Sequence, residues 1–126
     1  MKPPSIVELA KSLHPIDPQL LNPSKNPGAQ RLWYQGGEPY FDLFAELTEE
    51  QIIWLEITLR GKCLSWQNQQ WQTGITNEMN DYSMLPTSKL VRSDPVLDQE
   101  FLALIRQIIQ VRSDEPFFQR LLALFN

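Results

Sequence analysis

The chain has 126 residues, 42% of them hydrophobic, and carries 11 Lys and Arg against 15 Asp and Glu for a net charge of −4. That size suits one domain over residues 1–126, and the acidic balance opposes the phosphate-neutralising surface that DNA or RNA requires, so no nucleic-acid partner is expected. One cysteine cannot form an internal disulfide, and one histidine leaves no metal-ligand spacing. No apolar run reaches the roughly 18 residues of a membrane span. The expectation is a soluble, unprocessed cytoplasmic protein with no metal, no cofactor and no membrane partner.

In chain order, Ser5 followed by Glu8 is a capping box, and Ile6, Leu9, Ala10 and Leu13 repeat at helical spacing, so residues 5–13 read as an amphipathic helix. Prolines 15, 18, 23 and 27 with Asp17, Asn22, Asn26 and Gly28 make residues 14–30 a connector that disfavours helix and ladder alike. Residues 31–76 hold all four tryptophans and read as an antiparallel sheet of about four strands. Phe41, Leu43, Ala45 and Leu47 alternate with Tyr40, Asp42, Phe44 and Glu46. Ile53, Leu55, Ile57 and Leu59 alternate with Ile52, Trp54, Glu56, Thr58 and Arg60. Each strand thus has one aliphatic and one mixed face.

Parity sets the register. Placing both aliphatic sets on one side pairs Leu47 with Ile53, Leu43 with Ile57 and Phe41 with Leu59, with an odd-numbered loop around residues 49–51. Gly36-Gly37 signals a two-residue type I′ turn that sets Leu32 opposite Phe41, Trp33 opposite Tyr40 and Arg31 opposite Asp42. Gly61 reads as a bulge, and a tight turn at Asn68-Gln69 sets Trp66 across from Trp71. A rival helix over residues 48–60 is set aside because its apolar positions would spread around the helical wheel.

Residues 77–93 read as a loop and residues 94–126 as two helices, the first capped by Asp94 with Pro95 at its start and a stripe of Leu97, Phe101, Leu104, Ile105 and Ile108. The second begins near residues 113–116. Arg92-Ser93-Asp94 recurs as Arg112-Ser113-Asp114, but two units are fewer than a repeat array needs, and the echo is read as cap grammar. The fold class expected is therefore α+β, an antiparallel meander with one N-terminal and two C-terminal helices on its aliphatic face.

His14 follows the first helix, where an imidazolium suits the negative end of the dipole, and Cys63 reads as a small apolar strand residue. The mixed face gathers Arg31, Trp33, Tyr40, Asp42, Phe44, Glu46, Trp54, Glu56 and Arg60, the residue types that interfaces favour. Three readings of it stay open: a second core layer beneath a helix, an exposed protein-binding or homodimer surface, or a small-ligand cleft. The leading expectation is a non-enzymatic interaction or regulatory module that binds another protein or itself through this face or through the strand edge bearing Trp66 and Trp71. The alternative is a ligand-binding protein or hydrolase-like enzyme using Asp42, Glu46 or Glu56 beside Arg60.

Overall fold

The computed structural model describes residues 4–17, 28–76 and 90–126. It is an α+β fold with one antiparallel sheet, as the alternation predicts, but the sheet has seven strands among the described residues rather than four. Helix α1 (Ile6–Ser12) is followed by β1 (His14–Pro15), β2 (Ala29–Gln35), β3 (Asp42–Thr48), β4 (Gln51–Leu59), β5 (Lys62–Gln67), β6 (Gln70–Thr76), β7 (Leu90–Ser93), α2 (Gln99–Val111) and α3 (Pro116–Ala123). Spatial order equals chain order, a pure meander.

The additional strands lie where connectors are expected. Pro15 stops α1, whose capping box is formed by Ser5 and Glu8, yet His14 and Pro15 pair with Gln35 and Tyr34 as a two-residue edge strand. Pro lacks an N–H but is tolerated at a sheet edge. β2 begins at Ala29, inside the expected connector, and β7 occupies the last four residues of the expected 77–93 loop. The rest of that loop and most of the proline-rich connector, residues 18–27, lie outside the described residues.

Two hairpin registers differ from the turn reading. The β2–β3 connection spans residues 36–41, closed by the Gly36 N–H donating to the Phe41 carbonyl at 2.8 Å, rather than the two residues Gly36-Gly37. Leu32 therefore faces Ala45, Trp33 faces Phe44 and Arg31 faces Glu46. Gly36 is needed for closeness instead of for a left-handed φ: a Cβ there would lie 2.0 Å from the buried Phe41 ring. Because the register moves by an even number of residues, every side chain keeps its expected face.

The β3–β4 turn is Glu49-Glu50, two residues both at positive φ (51° and 69°), so the expected odd loop is replaced by an even one. Leu43 still faces Ile57, but the register shifts by one residue beyond Glu46, where Leu47 faces Ile52 instead of Ile53. A tight turn of even length sets the wrong parity for a shared aliphatic face, and a bulge at Ile53 absorbs the extra residue. Phe41 precedes the ladder and has no strand partner in Leu59, although both are buried. Gly61 is a turn residue (φ 82°) with Arg60 (φ 52°), not a bulge. Asn68-Gln69 forms the expected tight turn, both at positive φ, and Trp66 faces Trp71.

The second helix starts at Asp98, not Asp94. The Asp94 carboxylate accepts from the Thr73 hydroxyl (2.8 Å), and its N–H donates to the Thr73 carbonyl (2.9 Å). Thr73 Oγ1 also accepts the Asp98 N–H, so Asp94 is committed to β6 and Asp98 caps α2 through the Phe101 N–H. The carboxyl of Asp98 is held below its ordinary range by that backbone N–H and by Lys62. α3 begins at Pro116, within the expected window. The Arg-Ser-Asp echo is no structural repeat, since Arg92 and Ser93 lie in a strand and Arg112 follows a helix.

All three helices share one core with the aliphatic face: Leu9, Ala10 and Leu13 of α1 and its cap, Phe101, Ile105, Ile108 and Ile109 of α2, and Phe118 and Leu121 of α3 meet Leu43, Ala45, Leu55, Ile57, Leu59 and Leu64. Complete burial of each such side chain contributes roughly 1.5–3 kcal/mol. Tyr34 stacks on Phe117 (5.4 Å between centroids) and meets Phe118 edge-on (5.2 Å), which docks α3 on β2. No helix among the described residues is long and apolar enough to cross a membrane.

Candidate functional site

Antiparallel partners project their side chains to the same side, so the register lays out the mixed face as three rows across the strands. The first row is Gln35, Asp42, Thr58, Cys63 and Gly74; the second is Trp33, Phe44, Glu56, Ser65 and Gln72; the third is Arg31, Glu46, Trp54, Gln67 and Gln70. Seven of the nine residues expected on this face are in the rows. Tyr40 and Arg60 are not, because both sit in turns at positive φ. The Arg60 guanidinium binds the carboxylate of Glu38 through two contacts, 2.7 and 3.0 Å, which raises its pKa and directs it away from Asp42, Glu46 and Glu56.

The middle of the face is closed to solvent. Asp42, Phe44, Glu46, Glu56 and Thr58 are buried, Glu56 to 1% exposure, while Arg31, Trp33, Tyr40 and Trp54 are half-buried. The Trp33 indole N–H donates to Asp42 (3.0 Å), Arg31 Nε lies 3.4 Å from Glu46, and Trp33 stacks on Phe44 at 5.5 Å. Thr58 donates to the Tyr40 carbonyl. Asp42 and Glu46 stand four residues apart on one strand, about 13 Å at the usual rise, with Phe44 between them. No buried side-chain N or O atom among the described residues lacks a hydrogen-bond partner. Satisfied networks of this kind rigidify and specify a packing.

Cys63 is fully buried in the first row, and desolvation, with the nearby Glu56 charge, pushes its thiol far above the ordinary range. It is held as the neutral thiol and lacks the low-pKa environment that nucleophilic cysteines need. Lys62 points to the other face and pairs with Asp98 at 3.2 Å. His14 Nδ1 donates to the Ser12 carbonyl, 3.1 Å away, at the end of α1. Among the described residues no three His, Cys, Asp or Glu groups converge as metal ligands.

Two accessible concavities flank this closed centre. On the mixed face, where β4, β5 and β6 meet the segment from Asp94 to Leu97, a cleft of about 530 Å³ is lined by Trp54, Ser65, Gln67, Gln70, Gln72 and Asp94, among others. Across the sheet, between the two outer hairpin turns and the end of α3, a shallower groove of about 910 Å³ is lined by Trp66, Trp71, Leu124 and Phe125, with Glu50 and Arg120 at its rim. Trp71 packs on Phe125 at 4.4 Å and on Trp66 at 6.4 Å, and Arg120 reaches Glu50 at 3.3 Å.

The sequence reading placed Trp66 and Trp71 together but stopped there. It missed Ser65, Gln67, Gln70 and Gln72 on the mixed face, although the same period-two alternation, carried through the Asn68-Gln69 turn, assigns them to it. It also missed Glu38, the partner of Arg60, for which no local pattern exists. No family model matches this chain, and no curated protein and no solved structure matches it either, so the reading of its surfaces rests on its own residues.

Proposed function

We propose that this chain is a non-enzymatic interaction module that binds another protein through the aromatic groove of Trp66, Trp71 and Phe125. The observation that carries the reading is the composition of that groove: half-buried rings in contact with one another, surrounded by the polar rim of Glu50, Gln51, Gln69 and Arg120. Interfaces concentrate energy in such aromatic centres and in Arg, with a wet polar margin. The nine-residue mixed face offers less contact area, because Asp42, Phe44, Glu46 and Glu56 are buried. A hydrolase-like role for those carboxylates with Arg60 has less support, since Glu38 engages Arg60, Trp33 engages Asp42 and Arg31 engages Glu46.

The test is a purified complex. A protein captured by this chain is reconstituted with it and the affinity measured for wild type, Phe125→Ala and Arg120→Glu, with circular dichroism as the control for folding. Each variant weakens binding tenfold or more, about 1.4 kcal/mol. Unchanged affinity in both, or a chain that stays monomeric in light scattering and retains no partner, overturns the reading.

A further inference from the structure

We infer that the cleft on the mixed face, opposite the aromatic groove, is a binding site for a neutral polyhydroxyl ligand, a mono- or disaccharide unit. Its volume, about 530 Å³, lies within the range of small-molecule sites. Its floor is a sheet, and the register sets Trp54, Gln67 and Gln70 side by side in one row with Ser65 and Gln72 beside them in the next. Neighbouring strands lie about 4.8 Å apart, so the Trp54-to-Gln70 row extends about 10 Å. The hairpin beneath is closed by a two-residue turn, which holds this platform in place before any ligand arrives.

The lining chemistry selects the class. Lys, Arg and His are absent from the residues around the cleft, so nothing there compensates a phosphate, sulfate or carboxylate. What it offers is amide: Gln67, Asn68, Gln70 and Gln72, each with two donors and an accepting oxygen. Gln72 donates to Ser93 at 2.7 Å, whereas Gln67 and Gln70 are exposed and make no side-chain hydrogen bond within the described residues. The half-buried indole of Trp54 adds a flat apolar surface at the end of the row. A neutral ligand, dense in hydroxyls that both donate and accept, with a C–H face to lie on an aromatic ring, meets all of these requirements at once. A cation meets only part of them, because of the two carboxylates around the cleft Asp94 is already engaged by the Thr73 hydroxyl and Glu56 is 1% exposed.

Calorimetric titration with cellobiose, maltose, lactose, chitobiose and mannobiose, with digalacturonate and spermidine as charged controls, tests this. At least one neutral disaccharide binds at millimolar concentration or below. Gln67→Ala/Gln70→Ala weakens it at least fivefold, and Trp54→Ala abolishes it. Trp71 lines both concavities, so the control is Arg120→Glu, at the rim of the aromatic groove alone, which leaves sugar binding unchanged and separates this site from the proposed protein contact. Because Gln67 and Gln70 are exposed, their replacement does not threaten the fold. Absence of binding by every neutral sugar, preference for digalacturonate or spermidine, or full binding by the double glutamine variant overturns the inference.

Discussion

The guanidinium of Arg112 lies 4.4 Å from the centroid of the Phe118 ring, and from that position it also donates to the carbonyls of Ala10 and Leu13 at the end of α1. Its other edge binds Glu115 at 2.7 and 3.0 Å. One side chain thus caps α1, closes the α2–α3 turn and packs on α3. Arg112→Ala leaves two carbonyls without this donor and is expected to lower stability by about 2–3 kcal/mol in urea unfolding. Arg112→Lys restores less than half of that, since an ammonium cannot span the carboxylate and the carbonyls together.

Acid titrates the same latch. The Arg112 guanidinium holds the Glu115 carboxyl below its ordinary value. A depressed folded-state pKa stabilises the fold above the unfolded value of about 4.3 and loses that contribution as pH falls through the lowered one. Asp98 behaves in the same direction, its carboxylate accepting the Phe101 N–H and pairing with Lys62. The unfolding midpoint is expected to be flat from pH 7 to 5 and to fall below pH 4. In Glu115→Gln the acid-side slope is shallower, and an unaltered slope refutes the assignment.

Gly36→Ala is expected to destabilise the chain by about 1–3 kcal/mol, the range for forced overpacking. The added methyl meets the buried ring of Phe41 at 2.0 Å, inside the loop closed by the Gly36–Phe41 hydrogen bond, so the ring or that loop must shift. Gly36→Ala/Phe41→Leu recovers part of the loss if the ring is the cause. Thermal melts of both variants decide it.

Gln69→Gly works in the opposite direction. Gln69 sits at φ 62° in the second position of a two-residue turn, where a side chain costs about 1 kcal/mol relative to glycine. The substitution turns Asn68-Gln69 into the Asn-Gly pair that this geometry favours, and the melting temperature rises by several degrees. A fall would mean that Gln69 makes a contribution beyond its backbone.

Cys63 is expected to be silent in the native state. Its side chain is fully buried and burial pushes the thiol up, so thiolate is scarce and out of reach. Reaction with a colorimetric disulfide reagent proceeds only after denaturant is added. Rapid modification of folded protein would contradict the placement of β5.

Much of the fold was legible, and the reasons differ by element. Ser5 and Glu8 are local neighbours whose reciprocal cap depends on nothing distant, so α1 was readable as it stands. Leu43 and Ile57 were placed together by alternation, and their pairing survives a turn of the other parity because the bulge at Ile53 absorbs the one-residue difference. What failed were choices between equivalent local signals: Asp94 and Asp98 both carry cap grammar, and only the distant Thr73 decides between them. Gly36-Gly37 carried a turn signature, but the Phe41 ring, five residues on, is what requires the first glycine. For the candidate surfaces, side-chain periodicity sorted residues by face, yet burial of Glu56 and Phe44 is a property of the assembled chain.

Since every strand lies beside its immediate predecessor, β2 to β6 can be zipped hairpin by hairpin, each step closing a loop of two to six residues at small entropic expense. The contact between Arg112 and Ala10 is of another kind, joining positions 102 residues apart. The molecule is in this sense a zipper with a long-distance clasp, which fastens its first helix to the turn between its last two.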